Sequence, residues 1–204
     1  SNIVLRFGAI SDIHLGDGHA EQHRANFDRA LKTFVNIVGD NKLDAITISG
    51  DFLDHGSEDE EIEAKSVLDQ YLDPNETELV MTIGNHEDYG SEGRYDGGNN
   101  GFKQGVLSSY TYKNPVSGNT EAEILNGNYH TVLNGIHFIS VRGVDGNHSD
   151  ANLNWLDKQL EIAAKDPDAQ GKPIYVLTHV HPTNTNYGSQ SSLGSRWNST
   201  TIGP

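Results

Sequence analysis

Three short polar segments contain the residues of this sequence best suited to chemistry. They are Asp12-Ile13-His14, Gly50-Asp51-Phe52-Leu53-Asp54 and Gly84-Asn85-His86-Glu87. Their side chains offer carboxylate oxygens, an amide oxygen and imidazole nitrogens, a donor set that suits hard or borderline divalent cations. The chain has no cysteine, which excludes thiolate metal sites. The three segments therefore predict a metal site built from oxygen and nitrogen ligands.

Each polar segment follows a short apolar run in the sequence. These runs occupy residues 5–10, 45–48 and 79–83, and such runs are typical of buried parallel strands. Between these runs lie stretches with apolar residues at helical spacing, which predicts an intervening helix in each interval. The order of strand, helix, strand, helix, strand predicts a layered α/β fold with a predominantly parallel first sheet. The apolar positions of the first predicted helix, between the first two runs, are Phe27, Leu31, Phe34, Val35 and Val38.

A fourth apolar run, residues 174–177, leads into a fourth polar segment, Thr178-His179-Val180-His181-Pro182. In open α/β sheets, ligands bind at the carboxyl ends of the strands. All four polar segments are predicted to lie at such ends, so we expect them to converge. Carboxylates that meet imidazole and amide groups at one sheet edge predict a site for divalent cations.

The second half of the chain contains a hairpin signal and an amphipathic helix. Residues 128–133 and 136–141 flank Asn134-Gly135, a pair that favours a two-residue type I′ turn. We expect this hairpin to belong to a second sheet. Ser149 or Asp150 can cap the helix that follows. The apolar positions of that helix are Leu153, Leu156, Leu160 and Ile162.

The composition restricts the kind of partner that the chain can take. With 204 residues and 34% hydrophobic content, the chain suits one domain with a continuous core. The formal net charge of −15 disfavours attraction to nucleic acid backbones, and no apolar stretch is long enough to span a membrane. We therefore do not expect a nucleic acid or a membrane as a partner. A composition rich in Asn, Ser, Thr and Gly suits a secreted or cell-surface protein, although the compartment stays open.

The four polar segments, in this order, resemble the motif blocks of the calcineurin-like metallophosphoesterase superfamily. The family pattern is D-x-H, G-D-x-x-D, G-N-H-E or G-N-H-D, a histidine after a strand, and G-H-x-H. All but one of these blocks are visible between residues 3 and 182, and their joint occurrence is far more specific than any single block. The resemblance implies a four-layer α/β/β/α sandwich of two mixed sheets. It also implies hydrolysis of a phosphomonoester or phosphodiester by a hydroxide that bridges two divalent metal ions.

The resemblance also implies a role for each matching residue. Asp12 and His14 would bind the first metal, Asp51 would bridge both metals, and Asn85 and His179 would bind the second. A shared carboxylate lets two cations hold the phosphoryl oxygens together. Manganese, iron and zinc are all compatible with these mixed oxygen and nitrogen ligands.

Two further residues have catalytic roles by resemblance. The family places the histidine that matches His86 beside the leaving oxygen, where an imidazole can donate a proton. Asp54 is expected to orient a metal ligand or His86, with a plain cap as the alternative. Arg94, in the glycine-rich residues 90–101, is a candidate phosphate contact because a guanidinium group suits phosphate geometry. The alternative for Arg94 is a solvated surface residue.

His179 and His181 allow two interpretations. In the first, Thr178-His179-Val180-His181-Pro182 is the final G-H-x-H block with threonine in place of glycine, and both histidines are metal ligands. In the second, His179 is the fourth block and the final block lies beyond Pro204, which makes His181 a bystander or a substrate-side residue. We favour the second, because the sequence offers no other strand-end histidine for the fourth block. Residues 1–204 would then be the N-terminal major part of a C-terminally truncated catalytic domain with weak activity in isolation.

The sequence lacks the marker residues of two subclasses of the family, and a second function stays open. Asp54 replaces the tyrosine of purple acid phosphatases, and Ile83 replaces the arginine that precedes the Gly-Asn-His block in protein serine/threonine phosphatases. A catalytically silent metal-binding or interaction module of the same fold is the alternative to an enzyme, and the intact His86 argues against it. The other histidines are expected to be solvated or structural, namely His19, His23, His55, His130, His137 and His148.

Overall fold

The computed structural model describes residues 3–16, 18–88, 101–143 and 149–180. In this part of the chain, the first sheet has three parallel strands in the order β1-β2-β3. The three strands predicted before the first three polar segments are therefore confirmed, with small shifts at their boundaries. They are β1 (Phe7–Ile10), β2 (Ala45–Ser49) and β3 (Glu78–Thr82).

Helices connect the strands of the first sheet. The predicted helix is α1 (Ala20–Val38), which buries Phe27 and Leu31. A Cβ atom at Gly8 would lie 2.6 Å from the Phe34 ring, so a glycine on β1 lets α1 pack closely against the strand. Two further helices follow β2 and β3, namely α2 (Glu58–Leu68) and α3 (Asn85–Asp88).

The second sheet has the order β4-β5-β6, with an antiparallel first pair and a parallel second pair. Asn134 and Gly135 have φ angles of 53° and 75°, as a type I′ turn requires, so the predicted hairpin is confirmed. Ser149 caps the predicted later helix by accepting a hydrogen bond from the Asn152 amide. The elements are α4 (Gly101–Gln104), α5 (Glu121–Leu125), β4 (Tyr129–Leu133), β5 (Ile136–Ser140), α6 (Asp150–Lys165) and β6 (Ile174–Leu177).

The two sheets share one hydrophobic core. The Phe7 ring on β1 lies edge-on to Phe138 on β5, with ring centroids 5.3 Å apart. Near the strand ends, the Ser140 hydroxyl donates to the Met81 carbonyl at 2.7 Å and the Thr82 hydroxyl donates to the Val141 carbonyl at 3.0 Å. Two sheets with covering helices agree with the expected α/β class, while the four-layer arrangement and the domain assignment stay predictions. Among the described helices, none has the length and apolarity that a membrane span requires.

A series of hydrogen bonds between buried side chains links the second sheet to α6. His130 is fully buried, and its ring nitrogens contact Gln159 at 2.8 Å and His137 at 2.7 Å. The other nitrogen of His137 donates to the Asp166 carboxylate at 2.9 Å. Burial lowers the pKa of His130 to about 4. These two histidines therefore form an internal hydrogen-bonded network between β4, β5 and α6.

Candidate metal and catalytic site

The site lies where the loops after β1 and β2 run side by side. The backbone amides of Asp12, His14 and Leu15 donate to the carbonyls of Gly50, Asp51 and Phe52, at 3.0 to 3.1 Å. This ladder continues the parallel pairing of β1 and β2 beyond the strand ends. The first two polar segments of the sequence are thereby held against each other by main-chain hydrogen bonds.

Three residues of this ladder have a left-handed backbone conformation. The φ angles are 53° at Asp12, 50° at His14 and 50° at Asp51. A residue with a Cβ atom reaches this region at a cost of roughly 1–3 kcal/mol, and such residues cluster at functional sites. The surrounding hydrogen bonds must compensate for the cost of these backbone conformations. The three donor side chains are thereby brought together at one edge of the sheet.

The Asp51 carboxylate lies between two histidines. Its Oδ2 atom is 3.8 Å from His14 Nε2 and 3.3 Å from His179 Nε2, and His179 Nε2 is also 3.1 Å from Asn85 Oδ1. Ligand atoms of Asp12, Asp51 and His179 all lie within 4.8 Å of one another. Oxygen and nitrogen donors thus converge on both sides of a single, buried carboxylate.

The protonation of His179 tests whether a cation fits this position. His179 Nδ1 donates to the Ser49 carbonyl at 2.9 Å, so Nε2 would direct a lone pair at two oxygen atoms unless it carried a proton. Burial lowers the pKa of His179, but the hydrogen bond to Asp51 and its negative charge outweigh burial and raise that pKa to about 9. The site therefore stabilises positive charge at the point where the donors converge, and a divalent cation can replace the proton.

Asp54 contacts both His14 and His86. Its Oδ1 atom lies 3.2 Å from His14 Nδ1 and 2.9 Å from His86 Nδ1, and the two imidazole rings are edge to face with centroids 4.4 Å apart. Because a carboxylate only accepts hydrogen bonds, each Nδ1 carries the proton in these contacts. His14, Asp54 and His86 also bring possible ligand atoms within 4.8 Å, but this group is already hydrogen-bonded internally.

A family model described as calcineurin-like phosphoesterase matches residues 5–201. The chain belongs to this family. No curated protein matches the chain significantly. Membership supports the α/β metallophosphatase fold and a hydrolase that acts on phosphoesters with divalent metals, as the resemblance implied.

In this calcineurin-like phosphoesterase, Glu87 has a structural role that sequence analysis did not assign. Its side chain is buried, and Oε1 accepts from the amides of Phe52 at 2.7 Å and Leu53 at 2.9 Å. Oε2 accepts from the amides of Gly84 at 2.7 Å and Asp51 at 3.1 Å. Burial raises the pKa of Glu87, whereas the hydrogen bonds from the Leu53 and Gly84 amides favour its ionised form. Glu87 could have been noted as the last residue of the G-N-H-E block, but the sequence does not indicate which groups its side chain contacts.

Two glycines of the phosphoesterase motifs leave room for site residues. A Cβ atom at Gly50 would lie 2.5 Å from His179 Nδ1, and φ at Gly50 is 86°. A Cβ atom at Gly84 would collide with the Asp51 carboxylate. Glycine at these positions therefore allows the polar segments to approach each other closely.

The sequence-predicted residues divide into those that converge and those that do not. The metal-ligand roles stay predictions, as does the role of His86 beside a leaving group. Arg94 and His181 lie outside the described residues. His19 is exposed, whereas His23 Nδ1 contacts the His14 carbonyl at 3.0 Å. The residues that meet at the site are Asp12, His14, Asp51, Asp54, Asn85, His86 and His179.

Proposed function

We propose that this calcineurin-like phosphoesterase hydrolyses a small phosphomonoester or phosphodiester with two divalent cations that share Asp51. The position of Asp51 Oδ2, 3.8 Å from His14 Nε2 and 3.3 Å from His179 Nε2, is the observation that carries the proposal. Asp12 and His14 would complete one half of the site, and Asn85 and His179 the other. Carboxylate, amide and imidazole donors suit manganese, iron or zinc.

When bound, two divalent cations supply positive charge for the phosphoryl oxygens and lower the pKa of bound water. The chain's own residues then have separable tasks. Asp54 accepts the Nδ1–H of His86 at 2.9 Å, a contact that would orient the ring so that Nε2 faces the substrate. A proton on that Nε2 could pass to the leaving oxygen of the substrate, which is general acid catalysis by a positioned imidazole.

Charge also supports the requirement for cations. The net charge is −15, and Asp12 and Asp51 both offer ligand atoms at the site. An anionic phosphoester would be repelled by these carboxylates unless cations neutralised them. Removal of the metal should therefore weaken substrate binding as well as turnover.

The proposed substrate is small. A cavity of about 280 Å³ borders Asp12 on the α1 side. Its polar lining includes Ser11, His23 and Asn26, and its apolar lining includes Phe27. A cavity of this size suits a compact organic group on the phosphoester, because drug-sized ligands occupy pockets of about 300–1,000 Å³.

The test is hydrolysis of bis-p-nitrophenyl phosphate and p-nitrophenyl phosphate with added Mn²⁺. His86→Ala should lower kcat by about 10²- to 10⁴-fold, the usual contribution of a general acid, while the bound metal stays unchanged. His19→Ala is the matched control, since it removes an exposed histidine from the start of α1. Equal kcat in wild type and His86→Ala would remove His86 from the mechanism. Metal binding without hydrolysis of either substrate, by this chain and by a version extended beyond Pro204, would instead indicate the silent metal-binding module.

A further inference from the structure

Glu87 is a carboxylate at full hydrogen-bonding capacity beside the proposed metal ligands. It is 1% exposed, and four backbone amides donate to it at 2.7 to 3.1 Å, two to each oxygen. Three of these amides are consecutive, at Asp51, Phe52 and Leu53. The fourth belongs to Gly84, in the loop that follows β3. One side chain therefore ties two of the motif loops together.

The arrangement requires a carboxylate and not merely a polar side chain. A carboxylate has two acceptor oxygens, whereas the glutamine amide replaces one of them with an NH₂ donor. In Glu87→Gln, one pair of backbone N–H groups would face another donor in a buried position. Unpaired buried N–H groups are costly, so the loops would have to move apart or turn.

Asp51 is the residue most sensitive to such a movement. Its backbone has φ of 50°, and its own amide donates to Glu87 while its Oδ1 accepts from the His86 amide at 3.0 Å. A left-handed aspartate must be held by its surroundings. The amides that Glu87 binds start at Asp51 itself, so they fix the direction in which the Asp51 side chain leaves the backbone.

We propose that Glu87 is a positioning residue for the dinuclear metal site, holding Asp51 so that its carboxylate faces both sets of metal ligands. The inference rests on the proposed function, because it assigns Asp51 as the shared ligand. Glu87 is not assigned as a metal ligand, because both of its oxygens accept from backbone amides. It acts through the backbone of residues 51–53 and of Gly84.

A second buried carboxylate provides a matched control. Glu78 is 2% exposed and lies at the start of β3, at the opposite end of the strand from Gly84. It accepts hydrogen bonds from the Tyr129 hydroxyl and the Asn114 amide group. Glu78→Gln therefore perturbs a buried acid of the same sheet without touching the motif loops.

The experiment measures Mn²⁺ affinity by calorimetry on the metal-free 204-residue chain, together with urea unfolding of each variant. Glu87→Gln should weaken Mn²⁺ binding by about 10- to 100-fold, the usual effect of losing a group that orients metal ligands. Glu78→Gln should destabilise the fold and leave the Mn²⁺ affinity unchanged. Glu87→Asp keeps the charge but shortens the side chain, so its affinity should lie between those of wild type and Glu87→Gln.

The outcomes separate this inference from the proposed function. Wild-type Mn²⁺ affinity in folded Glu87→Gln would overturn the positioning role while leaving hydrolysis intact. If Glu87→Gln does not fold, wild-type affinity in Glu87→Asp together with a loss of stability would overturn it instead. Tight Mn²⁺ binding that depends on Glu87, with no hydrolysis of either phosphoester by this chain or by a version extended beyond Pro204, would uphold the inference and refute the enzyme. Absence of Mn²⁺ binding by the wild type would overturn both.

Discussion

Acidification should destabilise the fold through His130, which is buried in the second sheet. The pKa of this histidine is lowered from 6.5 to about 4 by burial, although its hydrogen bond to Gln159 opposes the shift. His130 contacts His137 on β5, and His137 in turn donates a hydrogen bond to Asp166 at the end of α6. The folded state therefore favours neutral His130, whereas in the unfolded chain the same imidazole has its ordinary pKa of 6.5.

The sign and size of the effect follow from this difference. The stabilisation is present above pH 6.5 and is lost as the pH falls towards 4, because the unfolded state binds the extra proton over that range. From pH 7.5 to pH 5.0 the free energy of unfolding should fall by about 2 kcal/mol through His130 alone, taking 1.36 kcal/mol per pKa unit.

The assay is urea unfolding followed by circular dichroism at several pH values, in EDTA to keep the chain metal-free. Wild type is compared with His130→Gln, which keeps a polar side chain but cannot titrate. Other titrating groups are common to both proteins and cancel in the difference. His19→Gln, at an exposed position, should behave like the wild type. Identical pH dependence in wild type and His130→Gln would refute the reasoning.

Two further predictions concern the candidate site. Gly50→Ala should weaken Mn²⁺ binding, because the new Cβ atom would lie 2.5 Å from His179 Nδ1 and displace that ring; calorimetry would show it, and wild-type affinity would contradict the packing argument. At pH 7.5, Mn²⁺ binding should release about one proton from His179, whose pKa without metal is raised to about 9 by Asp51 against the effect of burial. Calorimetry in two buffers of different ionisation enthalpy measures that release, and a binding enthalpy independent of the buffer would argue against it.

The strands and the convergence of the motif blocks could be predicted because they depend on local signals. Apolar runs ended at polar segments, and parallel strands then brought their carboxyl ends to the same edge. The Asn134-Gly135 turn was equally local, since both residues tolerate positive φ. These signals need no knowledge of distant contacts.

Other features depend on long-range contacts that no sequence pattern specifies. A helix was predicted between the second and third strands, but the residues of α2 were not named, because its buried positions include Glu60 and Glu61 and break the apolar periodicity. Asp54 was expected to orient either a metal ligand or His86, and the structure shows that it contacts both His14 and His86. Glu87 bonds backbone amides more than thirty positions away, which side-chain types alone cannot reveal.

The central claim is that one carboxylate, Asp51, serves two cation sites. The most direct test is the number of Mn²⁺ ions bound per chain, measured by equilibrium dialysis for wild type, Asp51→Asn and Asp12→Asn. Two ions should bind per chain in the wild type, both should be lost or strongly weakened in Asp51→Asn, and one should be lost in Asp12→Asn. A single ion in the wild type, or an Asp51→Asn variant that loses only one of two, would contradict the claim.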